Sequence, residues 1–150
     1  MCFMLFVGTD EPLPLKEWRK EAPDICVQPV GKNESAVRTH FSKPVVQYVG
    51  STSGCGCDFP HWLLYNGEEP NHVPEEVASR ADPERAARDQ GNRQALVELL
   101  ERDSRGLIEL YAVWDGNWSE APIRIEEISM NRMRERSFRL GEQVLYRVQL

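Results

Sequence analysis

The sequence has no long apolar run. Its longest, Cys2 to Val7, falls far short of the ~20 residues that cross a bilayer, so no membrane helix is expected. No basic residue precedes Lys16, and the n-region of a secretory leader is therefore missing. Cysteine is sparse: four in 150 residues do not build the disulfide framework of a small secreted domain. The expected setting is the cytoplasm, with reduced thiols. An excess of positive charge is missing too, with 18 Lys and Arg against 24 Asp and Glu and a net charge of −6. Residues 1–75 hold 6 basic and 10 acidic side chains, and residues 76–150 hold 12 and 14. Neither half can neutralise a row of phosphates, so nucleic acid and membrane surfaces are not expected partners. Repeats, low-complexity tracts and Gly/Ser linkers are also missing, and residues 1–150 read as a single domain.

What is present is the pattern of a soluble α/β (or α+β) domain. Cys2 to Val7 is the continuous apolar run of a strand buried on both faces. Leu15 to Arg19 suits a helical turn. Ile25 to Val30 is a shorter strand, placed at an edge or strand end by Pro29, which cannot donate to a ladder. Glu34 to Phe41 predicts a short helix capped by Asn33 or Ser35 and stopped by Pro44. Val45 to Val49 is β-branched and aromatic, and with the preceding helix it suggests a right-handed βαβ crossover. Residues 50–82 form a long irregular loop, of the length that tends to carry function. Asp82 then caps a helix with Pro83 at its first position, running to about Arg105 and ended by Gly106. Gly91 is its weak point. Leu107 to Trp114 is a central strand followed by a hairpin-type Asp115-Gly116 turn. Ile123 to Ile128 and Gln143 to Leu150 complete the order ββαβ-α-βββ. The expected architecture is a single mixed sheet of five to six strands with two helices.

Chemistry concentrates in Gly50-Ser-Thr-Ser-Gly-Cys-Gly-Cys57, just past the carboxyl end of a strand, where open sheets bind ligands. Cys55 and Cys57 can present two sulfurs to one point. With His61 they form a Cys-x-Cys-x3-His set of borderline-soft ligands suited to zinc, and His72, Asp58 or, in a catalytic site, a water is the candidate fourth. The same two thiols can instead be a redox dithiol, although Phe59-Pro60 disfavours the helix start that usually activates one. Nucleophilic catalysis by one cysteine, with His61, His72 or His40 as base, ranks third. Against all of these stands a tight glycine turn whose cysteines only fill small apolar spaces.

Cys2 and Cys26 read as buried small hydrophobes. In a parallel βαβ unit Cys26 lies ~16 Å from Cys55 and Cys57, and Cys2 reaches them only if the first strand runs antiparallel. His40 reads as a structural histidine beside an apolar face, and Arg132, Arg134, Arg136 and Arg139 as a solvated turn or helix face. Tyr48-Val-Gly-Ser-Thr52 is similar to half of the GIY-YIG nuclease motif, but the other half is missing upstream. Phosphate-loop and cysteine-phosphatase patterns are missing as well.

His40-Phe-Ser-Lys-Pro44, Tyr48-Val-Gly-Ser51 and Gly54-Cys-Gly-Cys57, together with Gly8-Thr-Asp-Glu-Pro-Leu-Pro-Leu15, resemble a group of short uncharacterised bacterial proteins. That resemblance implies a bacterial cytoplasmic origin and points to Cys55 and Cys57, without implying a reaction. The expected function is a thiol-based metal-binding or redox site on the Gly-Cys-Gly-Cys loop. The alternative is a non-catalytic interaction domain, in which Phe59, Trp62, Leu63, Leu64 and Tyr65 meet a protein partner or a second copy of the chain.

Overall fold

The two strands with the longest apolar runs take the middle of a six-stranded mixed sheet. In the computed structural model, which describes residues 2–69 and 82–150, these are β1 (Phe3–Thr9) and β5 (Leu107–Trp114). Around them stand β2 (Cys26–Pro29), β3 (Val45–Gly50), β6 (Arg124–Ser129) and β8 (Val144–Gln149), in the order β2-β3-β1-β5-β8-β6. Only β6 and β8 pair in parallel; every other neighbouring pair in this sheet is antiparallel. Two short strands, β4 (His61–Trp62) and β7 (Leu140–Gly141), form a separate parallel pair.

Alternation along the strands splits the core into two layers. Phe3, Leu5 and Val7 share one face with Ile108, Leu110, Val144, Tyr146 and Val148. The long helix α1 (Pro83–Asp103) lays Leu96, Val97, Leu99 and Leu100 on that face. Met4, Phe6, Tyr48, Tyr111, Val113 and Leu145 point the other way. They are covered by Val37 of a 3-10 turn, Ser35–His40, and by the partly buried Phe41 and Trp118. The start of α1 follows its residues: Asp82 accepts the N–H of Arg85, and Pro83 occupies the first turn, where no partner for its nitrogen is needed. Gly91 leaves the helix continuous. Among the described residues no helix is long and apolar enough to cross a membrane.

Several expectations need correction. β2 and β3 are antiparallel, with Cys26 opposite Gly50, so the segment between them is not a crossover. Its helix shrinks to the six-residue 3-10 turn Ser35–His40, which has Glu34 rather than Asn33 or Ser35 at its cap and only anchors Val37 on the sheet. Such a turn rises ~12 Å, enough to fold back but short for carrying a strand to the opposite end of the sheet. Lys16 does not open a helical turn; it pairs with Val27 through two backbone hydrogen bonds and widens the β2 edge. Asp115-Gly116 does make a turn, with Gly116 at φ +96° and Asn117 N–H bonded to Trp114 O. It closes no hairpin, because β6 lies at the far edge beside β8. The arginine-rich stretch adds a short helix, α2 (Met130–Arg134), whose Met130 and Met133 are buried. The last strand, whose alternation of Val144, Tyr146, Val148 and Leu150 with polar residues reads as one buried face, also buries Leu145 on the opposite layer, while Leu150 is exposed.

Candidate thiol site and its adjoining cavity

Strand direction decides which cysteines meet. β1 starts where β3 ends, as the Leu5–Val49 pairing shows, and β2 starts there too, with Cys26 opposite Gly50. The chain leaves β3 and folds straight back over the first residues of β1. Ser51 N–H donates to Cys55 O at 2.7 Å, Gly54 N–H to Ser51 O at 2.9 Å, and Ser51 Oγ also bonds Cys55 O. Gly54 takes φ +88°, which L side chains rarely adopt, and the ring of Trp18 lies against it. Gly56 lies so close to β1 that a Cβ there would be 2.5 Å from Phe3 O. The spacing of glycines in Gly54-Cys55-Gly56-Cys57 therefore presses the loop onto the sheet end while turning both sulfurs toward one place.

The third sulfur is that of Cys2. The Sγ atoms of Cys2, Cys55 and Cys57 all lie within 4.8 Å of one another, each residue half-buried. All four cysteines of the chain are free thiols. The condition under which Cys2 reaches the loop, a first strand antiparallel to β3, is met. Cys2 is thus a member of the cluster rather than a core filler. Cys26 is fully buried as expected, yet it stands at the same end of the sheet, its Sγ 4.0 Å from Gly54 O, and not ~16 Å away.

Donors converge on the sulfurs. Phe3 N–H points at Cys57 Sγ at 3.3 Å, Cys57 N–H at Cys55 Sγ at 3.4 Å, and Ser53 Oγ lies 3.5 Å from Cys55 Sγ. Burial pushes the Cys55 thiol up, but hydrogen bonds from Ser53, from the Cys57 thiol and backbone, and from Cys2 outweigh it, so Cys55 titrates below its ordinary value of 9.0. Burial and the donation of its proton to Cys55 push Cys57 up to about 11. Cys2 is raised as well, by burial first and then by Cys55. Cys55 is therefore the thiolate-former of the three, and its two neighbours are its proton donors.

The histidines fall elsewhere. His61 stacks on Phe3 with ring centroids 4.3 Å apart, and its Nδ1 lies 2.6 Å from Phe59 O. Burial holds its pKa below 6.5, so the ring is neutral at neutral pH. It does not belong to the three-sulfur group. His72 lies outside the described residues. His40 is structural as read, its Nε2 2.9 Å from Trp118 O and its ring beside Tyr111. Asp58 lies instead on a neighbouring cavity of about 300 Å³ with Cys57, His61, Arg85, Arg88, Asp89 and Arg139.

Much of the aromatic stretch after the thiols packs into the core. Phe59 and Trp62 are buried, Leu63 and Leu64 pack against the core, and only Tyr65, 74% exposed, faces outward. Trp62 carries the Arg124 guanidinium over its ring at 5.6 Å.

Helix α1 holds the cysteine loop and the segment before β7 through two polar residues that sequence reasoning missed. Asn92, 2% exposed, accepts the N–H of Thr52 at 2.9 Å and donates to Arg88 O. Arg93, 4% exposed, donates to Arg136 O at 2.9 Å and Phe138 O at 3.0 Å. Their signal was an uncapped polar pair one turn ahead of Leu96 and Val97, on the apolar side of the helix. Comparison with protein-family models, with curated proteins and with solved structures finds no match to this chain, so the thiol cluster and its surroundings carry the functional argument.

Proposed function

We propose that this protein binds a thiophilic metal ion, zinc foremost, through Cys2, Cys55 and Cys57. The observation that carries this reading is the meeting of three sulfurs within 4.8 Å from two segments far apart in sequence. Thiolates are strong zinc ligands, and three of them leave a fourth tetrahedral position for water or an exogenous group. Backbone N–H groups aimed at Cys55 and Cys57 are the second shell expected around thiolate ligands, since they stabilise negative sulfur. Cys55, held below its ordinary pKa, would bind as thiolate with the least proton loss, and a bound metal would favour the thiolate forms of Cys2 and Cys57. A reducing, cytoplasmic compartment suits three such thiols kept unbridged.

A redox dithiol is the second reading, favoured by the unequal acidity of Cys55 and Cys57. The more acidic sulfur would attack a substrate disulfide, releasing one substrate thiol, and its neighbour would then attack the mixed disulfide, releasing the second thiol and leaving a Cys55–Cys57 disulfide.

Native and denatured mass spectrometry of untagged protein, purified without chelator and offered zinc, tests both. One zinc per chain on the native protein, lost in each of the variants Cys2→Ser, Cys55→Ser and Cys57→Ser, is the expected result. A mass lower by a pair of hydrogens, restored by reductant and mapped to two of these cysteines, would transfer the assignment to redox chemistry. A reduced protein that takes up no zinc would overturn the metal reading.

A further inference from the structure

We propose that the cavity beside Cys57 is a binding site for the oxyanion group, phosphate or carboxylate, of a small ligand. The cavity is about 300 Å³, at the small end of the range for ligand pockets. Arg85 and Arg88 enter it from the first two turns of α1, three residues apart and so on one face of the helix. Arg139 enters from the segment ahead of β7. Three arginines from two separate elements thus line one small space.

Three carboxylates border it as well, and two of them are already engaged. Asp82 caps the helix by accepting Arg85 N–H at 3.0 Å, so its charge is directed at backbone donors. Asp89 faces Arg139 at 3.8 Å, with both side chains mostly buried. Asp58 is the third. Against these, the guanidinium groups of Arg85 and Arg88 make no ion pair with a described carboxylate. Two guanidinium groups without a described ion-pair partner suit an oxyanion bound in bidentate fashion. The site rests on its own residues and does not require a metal on the cysteines. It shares Cys57 with the thiol cluster, which would put a bound anion next to whatever occupies the sulfurs.

Calorimetric titration of the purified protein with inorganic phosphate and, separately, with succinate, each against chloride at matched ionic strength, tests the proposal. Saturable binding of one or both is expected, and which anion saturates identifies the source of the oxyanion. Arg85→Gln and Arg88→Gln, both exposed positions on a helix that keeps its cap, should each weaken binding about tenfold. Arg38→Gln, on the exposed 3-10 turn, should leave it unchanged. Zinc uptake by the same Arg85 and Arg88 variants is measured in parallel and should remain that of the wild type, so failure here is distinct from failure of the metal reading. Binding of neither anion, or equal binding by wild type and the Arg88→Gln variant, would overturn the oxyanion site.

Discussion

Two polar groups, one buried and one half-buried, sit at opposite ends of the same pair of central strands. Near the end marked by the Gly8–Glu109 pairing, Glu109 is 0% exposed. Its carboxylate accepts Ser42 N–H at 2.9 Å, Ser42 Oγ–H, and Lys43 N–H at 3.3 Å, with Arg147 Nε 3.6 Å away. Every lone-pair direction is occupied by the protein itself. At the other end, marked by the Phe3–Trp114 pairing, three sulfurs face one another with a few long N–H and O–H contacts. The first group is complete and locks the loop after the 3-10 turn to the sheet. The second is half-buried and keeps sulfur lone pairs that few described donors engage, which is what the proposed metal would use.

The contrast can be broken most forcefully at Glu109. Glu109→Ala leaves two backbone donors, a hydroxyl and Arg147 facing an apolar methyl, and should cost about 3 kcal/mol in guanidinium unfolding without changing zinc uptake. A loss below about 1 kcal/mol would show that water replaces the carboxylate and that this end is open too. Gly56→Ala comes next. Its Cβ would meet Phe3 O at 2.5 Å, so the loop must lift from β1, costing about 2 kcal/mol and abolishing zinc uptake with it. Cys57→Ser should lose the metal while costing less than about 1 kcal/mol in its absence, which separates ligation from folding.

Acidity sharpens the comparison further. With rising pH, alkylation followed by peptide mapping should label Cys55 below pH 9.0 and Cys57 only toward about 11. The linkage runs in opposite directions for these two. Cys55 adds stability that is present above its unfolded value of 9.0 and is lost as pH falls through its lower folded value. Cys57 adds stability that is present below 9.0 and is lost as pH rises toward 11. The smallest effect is expected at Tyr65, where Tyr65→Ala should change unfolding by no more than about 0.5 kcal/mol, because the ring is 74% exposed.

The elements were legible in the sequence wherever local pattern controls them. Apolar runs marked β1 and β5, Pro29 marked an edge, and Asp82-Pro83 marked the start of α1. Strand direction was not legible, because it depends on whether residues 30–44 cross the sheet or fold back, and that is settled by packing Val37 against a distant surface. The candidate site inherited the same boundary. Cys55 and Cys57 stood out by their glycines, whereas Cys2 was hidden in an apolar run and joins them only through the antiparallel pairing of β1 and β3. His61 had the right spacing, but its ring is taken by Phe3 and the Phe59 carbonyl. Asn92 and Arg93 look like ordinary surface residues of a charged helix until the loops they hold are in place.

Those two neighbours on α1 reach in different directions, Asn92 to Thr52 ahead of the thiols and Arg93 to the carbonyls of Arg136 and Phe138 just before Arg139. One turn of helix therefore fastens both the cysteine loop and the strand-leading segment that walls the cavity. Loosening that turn frees both attachments at once, so the two segments form one cooperative opening unit rather than two. Their amides should exchange with solvent deuterium at matched rates, and an occupant of either place should slow exchange at the other.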